Sequence, residues 1–471
     1  MTTEQNEDFK LKKFSTIQLL NFCLGFFGLQ FAWQMRIILS GPVTEGLGAS
    51  PFLFGLIWLA GPVTGMVVQP IIGAMSDNTH TKFGKRRPYI FLGALFASIA
   101  LVLFPNSSSI METIQSYLPF NLPASAALFF AAIMIWVIDA CVNAAQGPYR
   151  ALIPDNMPVE QHSLANSYLS FAIGLGSVIA AGTAPFLSWA FNYQMSIPAQ
   201  FVMAAVAFFG ATIWTCLTIN EIKKSPAKVN DGTEDTEKTE ENKISFAQSV
   251  KDFFACSPQI AKICTVQFFT WIGIMCMFIY FTQYAIHTVF GVPDLTKVAE
   301  DVKLSYEATI SQATNFSSVC FAIFNLVCFL VSLPIGMLSS KFGNKLIHAI
   351  SLISMAIAFG AMAFTNNTTL VMTFMAIAGI GWASTLALPF AMLTRFINKG
   401  SEGSVMGIFN IFIAGPQIVV CTILAWFINT CSFQTEAGIN YHYEYSLLVG
   451  AIVLAIAAVA TLSINEGTIK E

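Results

Sequence analysis

The chain has 471 residues, of which 55% are hydrophobic and only 10% are charged, against about 25% charged residues in an average soluble domain. This composition excludes an ordinary soluble globular protein and indicates a membrane protein. The net charge of −3 gives no sign of a nucleic-acid partner.

Apolar segments of about 20 residues recur along the whole chain, and each is long enough to cross a hydrocarbon core of about 30 Å as a helix. The polar start, MTTEQNEDFKLKK, and the length of the first apolar run argue against a cleaved signal peptide. The predicted spans, numbered 1 to 12 below, are 15–40, 52–75, 88–105, 124–149, 163–189, 197–219, 259–289, 309–338, 346–365, 368–394, 402–429 and 444–463.

The distribution of positive charge predicts that both termini, 1–14 and 464–471, are cytoplasmic. With this orientation the outward connections carry only Lys297 and Lys303, and nearly all the other loop lysines and arginines face inward. Cytoplasmic loops retain positive charge. The opposite orientation would place almost all of this charge outside.

A polar segment at 220–258 separates two groups of six spans, 15–219 and 259–463. Residues 220–243 are highly charged and low in aromatic residues, which is typical of a flexible linker. The apolar residues of 244–254 are spaced as in an amphipathic helix lying on the membrane surface. A linker end with a few chance hydrophobic residues is the alternative interpretation.

The two groups of spans resemble each other weakly. GAMSDNTHTKFGKRRP (73–88) joins spans 2 and 3, and GMLSSKFGNK (336–345) joins spans 8 and 9. Such duplication supports two related six-helix bundles around a site near the middle of the membrane. We therefore predict an all-α membrane protein with twelve transmembrane helices in two bundles.

Ionisable residues in the middle of a span are rare and costly, so each is a functional candidate. Asp139 on span 4 shares one helical face with Asn143, Gln146 and Arg150. A carboxyl group buried in a membrane is hard to ionise and can exchange protons near working pH. Interhelical hydrogen bonds, or for Arg150 an anchor at the inner rim, are the structural alternatives.

Arg36 on span 1 has two interpretations. It lies about five residues from the predicted outer end of its helix, so its side chain could extend to the outer interface. Alternatively it binds an anionic group of a solute. The same helical rise places Asp139 about 20 Å from the outer face, so a direct pair with Arg36 requires the helix boundaries to differ somewhat from those predicted.

Amide, hydroxyl and aromatic side chains that can bind a polar solute lie on several spans. Each one alone is more typical of ordinary packing, and Gln30 and Gln34 lie on a different helical face from Arg36. The candidate substrate contacts besides those of span 4 and Arg36 are Gln30, Trp33, Gln34, Gln267, Trp271, Tyr280, Gln283, Trp382, Ser384, Asn410 and Gln417.

Several long motifs in consistent order resemble the major facilitator superfamily, and within it the plant sucrose transporters and bacterial sugar–proton symporters. These motifs are IWLAGPVTGMVVQPIIGAMSD, KFGKRRPYI, DACVNAAQGPYRALIPD, GIGWASTLALPFAML and GIFNIFIAGPQIV. The resemblance implies that Asp139 couples transport to protons and that Arg150 acts in substrate-dependent transport. The sugar transporters typically have an uncharged polar residue at the position of Arg36.

The same resemblance implies a charge clamp in the inner loop between spans 2 and 3. Its residues are Gly73, Asp77, Gly84, Lys85, Arg86 and Arg87. The alternative is a positive patch that sets topology and meets anionic lipid. In the second half Ser340 stands where the acid would be, so we expect a one-sided clamp.

Taken together, the residues and the resemblance predict proton-coupled symport of a disaccharide or other glycoside by alternating access. One alternative is transport of another solute, such as an amino acid, nucleoside or carboxylate. A further alternative is a membrane receptor that transports nothing. We expect no enzyme activity, cofactor or metal. The expected partners are a small-molecule substrate, a proton and the lipid bilayer. We also expect a monomer in a bacterial inner membrane.

Overall fold

The computed structural model describes residues 13–79, 81–219, 221, 251, 253–255, 257–295, 300–396, 402–435 and 438–466. Within these ranges twelve helices are long and apolar enough to cross a membrane. The prediction of an all-α protein with twelve spans is therefore confirmed. Most of the predicted surface helix at 244–254 and most of the predicted linker lie outside the described residues.

The helices of spans 1 to 6 are Thr16–Gly46 for span 1, Pro51–Trp58 and Ala60–Asp77 for span 2, Arg87–Leu103 for span 3, Ala126–Asn156 for span 4, Val159–Phe191 for span 5 and Ile197–Thr218 for span 6. Span 3 continues beyond its predicted end, through a 3₁₀ turn at Phe104–Asn106 into the helix Ser107–Tyr117.

The helices of spans 7 to 12 are Pro258–Gln283 for span 7, Glu300–Phe342 for span 8, Asn344–Met362 for span 9, Thr368–Leu393 for span 10, Glu402–Val419 and Ala425–Thr430 for span 11, and Glu444–Leu462 for span 12. Two π-helical segments occur at Tyr284–Val289, which ends span 7, and at Val420–Leu424 inside span 11. A β-hairpin that the sequence did not predict, Ser432–Thr435 with Gly438–Tyr441, precedes span 12.

Contacts divide the chain into two compact units, but not at the linker. Unit 1 contains Met1–Arg36 and Val63–Lys223, and unit 2 contains Ile37–Pro62 and Lys224–Glu471. The boundaries thus fall inside spans 1 and 2. With inner and outer used in the sense of the predicted orientation, the outer ends of these spans pack on spans 7 and 11 and so belong to unit 2.

In unit 1 the inner part of span 1 packs closely on spans 4 and 6. The buried hydroxyl of Tyr149 donates a hydrogen bond to the carbonyl oxygen of Phe22, and its ring meets Phe26 edge to face. A Cβ at Gly25 would lie 2.6 Å from this ring, and one at Gly28 would lie 2.6 Å from the carbonyl oxygen of Ala207. Small residues allow such close helix contacts, which membrane helices use because lipid gives no hydrophobic driving force between them.

Unit 2 uses the same kind of close packing. A Cβ at Gly273 on span 7 would lie 3.0 Å from the carbonyl oxygen of Gly450 on span 12. On span 2, a Cβ at Gly55 would lie 2.4 Å from that of Ala425 and 2.5 Å from the carbonyl oxygen of Cys421. The outer end of span 2 is thus fitted against span 11 with no room for a side chain.

Candidate functional site

Two opposite charges meet in the middle of unit 1. Arg36 Nη2 on span 1 lies 2.6 Å from Asp139 Oδ2 on span 4, and the two side chains are only 3% and 5% exposed. A buried charge in a membrane span is costly unless it is paired or faces a polar cavity. The pair therefore explains how both residues are tolerated there.

The pair corrects the interpretation of Arg36 as an anchor at the outer rim. Span 1 ends at Gly46 rather than near residue 40, so Arg36 lies ten residues from its end, about 15 Å along the helix. Its side chain is buried and directed to Asp139. The two residues meet because span 1 ends six residues later than predicted, which is the shift in the helix boundary that a direct pair required.

The polar face of span 4 continues inward from Asp139 and is met by span 2. Gln69 Nε2 donates to Asn143 Oδ1 and to Gln146 Oε1, each at 2.9 Å. Asn143 Nδ2 donates to Thr64 Oγ1 at 3.0 Å. The sequence analysis identified the span 4 residues but missed Gln69 and Thr64, although a glutamine within the apolar run VVQP is itself a signal.

Arg150 lies eleven residues beyond Asp139, about 16 Å along span 4. It is exposed, and its guanidinium carbon lies 5.6 Å from the centre of the Phe26 ring. On span 1, Gln30 and Trp33 are half-buried and Gln34 is buried. The structure therefore groups Asp139, Asn143 and Gln146 with Arg36, and it separates Arg150 from them.

A second set of predicted residues lies in unit 2, on spans 7 and 10. The rings of Trp271 and Trp382 meet edge to face with centroids 5.7 Å apart. Gln267 is fully buried, and among the described residues neither its amide nitrogen nor its amide oxygen has a hydrogen-bond partner. The indole nitrogen of Trp271 also has no hydrogen-bond partner among the described residues. Unsatisfied buried polar atoms are costly, so these atoms are candidates for contacts with a ligand.

Ser384, also on span 10, has a partner that the sequence analysis did not select. His348 Nδ1 on span 9 lies 2.8 Å from Ser384 Oγ, and both side chains are fully buried. The Ser384 hydroxyl is therefore engaged inside unit 2. Asn410 on span 11 is exposed, and Gln417 donates to the carbonyl oxygen of Ile413 in its own helix at 3.1 Å.

Tyr280 and Gln283 lie farther along span 7, where it packs on the outer ends of spans 1 and 2. The Tyr280 hydroxyl lies 3.4 Å from the carbonyl oxygen of Pro51. A Cβ at Gly41 would lie 1.6 Å from Gln283 Nε2. The Gln283 amide therefore occupies the space that a side chain at position 41 would need. Gln283 is twelve residues from Trp271, about 18 Å along the helix.

The inner loop between spans 2 and 3 is organised by acids of unit 1. The Arg86 guanidinium binds the carboxylates of Asp77 and Asp155, the latter through Nε at 2.9 Å. Lys85 Nζ lies 3.0 Å from Asp155. Gly73 has room for a Cβ, so no close contact of the described residues requires a glycine there.

Glu221, which follows span 6, binds the start of span 3. Its carboxylate accepts hydrogen bonds from the backbone N–H groups of Lys85, Arg86 and Arg87 at 2.7, 3.0 and 2.6 Å. An anion at a helix N-terminus is favoured by the unpaired N–H groups and the helix dipole. Gly84 has a φ of +105°, and a Cβ there would lie 2.5 Å from the Glu221 carboxyl carbon, so this glycine is required.

The second half has its own acid in the role that Glu221 has in the first half. The expectation of a one-sided clamp concerns the place of Asp77, where the second half has Ser340, and it stays a prediction. Glu466, which follows span 12, accepts hydrogen bonds from the backbone N–H groups of Asn344 and Lys345 and pairs with Arg395 at 3.2 Å. Gly343, with a φ of +90°, precedes span 9 as Gly84 precedes span 3. The sequence contains a signal for this pair of acids: LTINE at 217–221, which ends in Glu221, is repeated as LSINE at 462–466, which ends in Glu466.

Comparison with known proteins gives one matching family and several named relatives. The family description "Major Facilitator Superfamily" matches residues 22–413, with a second match at 302–470. The sucrose transport protein SUT2 of Oryza sativa subsp. indica is 24% identical over 427 residues, which cover 83% of each chain. The general alpha-glucoside permease of Schizosaccharomyces pombe is 24% identical over 534 residues, covering 94% of this chain and 92% of the permease.

Solved structures share the fold. A D-xylose-proton symporter aligns with a TM-score of 0.63 at 15% identity over 96% of this chain and 98% of the symporter. The nucleoside transporter NupG aligns with a TM-score of 0.65 at 13% identity over 96% of this chain and 100% of NupG. The match to the family covers most of the chain, and both its relatives and its structural neighbours are transporters. The chain therefore belongs to the Major Facilitator Superfamily and is a multi-pass membrane transporter rather than an enzyme.

Proposed function

We propose that this transporter takes up a disaccharide or other glycoside together with a proton by alternating access. The observation that carries the proposal is the buried Arg36–Asp139 pair at the head of an amide-lined face. Protonation of Asp139 removes its negative charge and weakens the pair, so a proton can shift the balance between two conformations.

The polar groups suit a sugar. The amides of Asn143 and Gln146 in unit 1 can both donate to and accept from hydroxyl groups. In unit 2, Trp271 and Trp382 offer aromatic faces for the apolar side of a sugar ring, and buried Gln267 has an unpartnered amide among the described residues. Relatives named sucrose transport protein and general alpha-glucoside permease favour the same substrate class.

The position of Arg36 argues against the alternative of an anionic solute. Its guanidinium lies against the Asp139 carboxylate, so a bound anion would compete with a charge already in place. A proton is a better coupling ion than sodium, because sodium usually requires several oxygen ligands. Span 4, which is described throughout, carries a single acid in its central part.

The remaining parts of the proposal concern the setting of the protein. We infer that both termini face the cytoplasm, since the inner loops hold nearly all the loop lysines and arginines. The membrane is proposed to be a bacterial inner membrane and the working unit a monomer.

Proteoliposomes test the proposal. The purified protein is reconstituted, and labelled sucrose, maltose and aryl glucosides are compared with nucleosides, amino acids and carboxylates, with and without an inward proton gradient. We expect counterflow of a glucoside, and accumulation that requires the gradient and is abolished by a protonophore. Exchange of an anionic solute with no exchange of any sugar would overturn the sugar assignment. Accumulation that needs sodium but no proton gradient would overturn the coupling ion.

A further inference from the structure

A close contact between a glutamate and a histidine lies in unit 2, at the outer end of span 1. Glu45 Oε1 lies 2.5 Å from His287 Nε2, in the π-helical segment that ends span 7. The two side chains are 15% and 3% exposed. None of the motifs discussed above includes these residues.

The histidine ring is held in one orientation. Its Nδ1 lies 2.7 Å from the carbonyl oxygen of Val292, and the ring stacks on Tyr443 with centroids 5.0 Å apart and planes 22° apart. A carbonyl oxygen only accepts, so Nδ1 carries a proton and Nε2 faces the carboxylate. A nitrogen lone pair and a carboxylate oxygen at 2.5 Å would repel each other. The Glu45–His287 contact is therefore favourable only when the ring is protonated and the two side chains form an ion pair.

Other titratable groups surround this contact. Asp294, in the segment that follows span 7, is buried and interacts electrostatically with the ring. Tyr441 ends the second strand of the hairpin and Tyr443 follows it. Burial raises the pKa of both tyrosines, and the neighbouring carboxylates raise it further, so both stay neutral. Glu444 binds the hydroxyl of Thr288 at 3.0 Å.

A cavity of about 310 Å³ adjoins the pair and is lined by Glu45, His287, Pro42 and residues of span 8 that include Lys303 and Glu307. Its opening gives water, and therefore protons, a route to the Glu45–His287 contact. Histidine is the side chain whose ordinary pKa, about 6.5, lies within the range that external pH commonly covers.

A second contact between the same helices lies one helical turn away from this pair. Gly41 and Glu45 are four residues apart on span 1, and Gln283 and His287 are four residues apart on span 7, so each set lies on one helical face. Gly41 lets Gln283 approach span 1 without a side chain between them. The outer end of span 1 is thus held to span 7 by one steric contact and one contact that depends on a proton.

We propose that Glu45 and His287 form a second proton-binding site, separate from Asp139, and that a proton bound there fastens the outer end of span 1 to span 7. The inference rests on the proposed proton-coupled transport for its role. Span 1 begins the first six-span half of the sequence, and span 7 begins the second. Under alternating access, rocking of these two halves would break the Glu45–His287 contact once in each cycle. Uptake of an external proton would then favour closure of the outer ends of spans 1 and 7.

The test is hydrogen–deuterium exchange of the full chain in lipid nanodiscs without substrate, read on peptides that cover the outer end of span 1. After correction for the intrinsic exchange rate, we expect these amides to be at least about fivefold more protected at about pH 6 than at about pH 8.5. His287→Gln keeps a polar side chain but cannot gain a proton, and it should abolish this difference. Glu45→Gln should do the same and serves if the first variant does not fold.

His442→Gln is the matched control, because His442 is another outer histidine that binds a carboxylate, Glu444, at 2.6 Å. We expect it to keep the pH difference. A wild-type chain without the difference, or a His287→Gln chain that retains it, would overturn the second proton site. The readout needs no transport, so a failure to transport sugars in liposomes would count against the proposed function alone.

Discussion

The partner of the Asp139 carboxylate is an arginine that stays charged, so any protonation of Asp139 changes the net charge of the pair. While Asp139 is ionised, the buried pair is neutral as a whole, and once Asp139 is protonated the pair carries a net positive charge. Protonation therefore changes the forces between spans 1 and 4 in the centre of unit 1. The adjoining amides of Asn143 and Gln69 place a hydrogen-bonded network beside this change.

Asp139→Asn is predicted to abolish proton-driven accumulation while leaving substrate exchange partly intact. Asparagine retains the shape of the side chain but cannot bind and release a proton. Accumulation should fall by about 5- to 150-fold, the usual range of a coupling between two sites, and counterflow should fall much less. Uptake into proteoliposomes, with and without a proton gradient, measures both quantities.

A double variant separates coupling from folding. Asp139→Asn alone leaves Arg36 buried without its countercharge, a change that costs about 3–5 kcal/mol in comparable buried pairs. Adding Arg36→Gln should recover much of the thermal stability but none of the proton-driven accumulation. Recovery of accumulation in the double variant, or unchanged accumulation in the single one, would remove Asp139 from the coupling mechanism.

The residues of this site were predictable in part. Asp139, Asn143 and Gln146 could be found because a polar stripe at helical spacing stands out in an apolar span. Their partners Gln69 and Thr64 could not be chosen from the sequence, because helical periodicity fixes a face but not the neighbouring helix that meets it. His348 and Glu45 were missed because each lies near a helix end, where a charged or polar residue is ordinarily exposed to water.

At the level of helices, spans 3 and 9 begin in the same way. Each starts after a glycine with positive φ, Gly84 or Gly343, and each has its first N–H groups bound by an acid that follows the last span of its own half. Glu221 and Glu466 thus tie the end of one helix to the start of another. The helix dipole adds to these hydrogen bonds.

Removing these acids is predicted to lower the stability of each half unequally. Glu221→Ala loses three hydrogen bonds to backbone N–H groups, which we expect to cost about 2–3 kcal/mol, and Glu466→Ala, with two, about 1–2 kcal/mol. Thermal unfolding of the purified variants measures the order of the two effects. Exposed Glu112 supplies the control, since Glu112→Ala should change the unfolding temperature little. Equal and negligible effects of all three variants would contradict the capping role.

The ends of the helices were the least predictable part of the fold. The apolar run of span 1 marks its middle well, but its last turns contain Gly41, Pro42 and Gly46, residues that usually end a helix. Packing against span 7 keeps these turns helical. That contact is tertiary and is not written in the local sequence.

For the whole molecule, the composition and the recurrence of apolar runs were sufficient to predict twelve spans, and they match the structure. The grouping of those spans was harder to predict, because the charged linker suggests one division while contacts place Ile37–Pro62 with the second half of the chain. Under the proposed alternating access, helices that take part in both groupings are those that the motion would rearrange.

Both termini are predicted to face the cytoplasm. A protease site and tag added after Glu471 should be cleaved in inside-out vesicles and protected in intact spheroplasts, because the positively charged loops stay on the inner side. A tag inserted after Thr435, in the hairpin before span 12, should show the opposite pattern. Cleavage of the C-terminal tag in intact spheroplasts would reverse the orientation and with it the direction from which protons reach His287.

The π-helical segment Tyr284–Val289 has an evolutionary meaning. A π turn holds one residue more than an α turn, so it can absorb an inserted residue that would otherwise rotate everything beyond it by about 100°. The segment retains the contacts of His287 with Glu45 and of Thr288 with Glu444. In an alignment, relatives that lack the insertion should show a one-residue gap within this segment while matching this chain on either side.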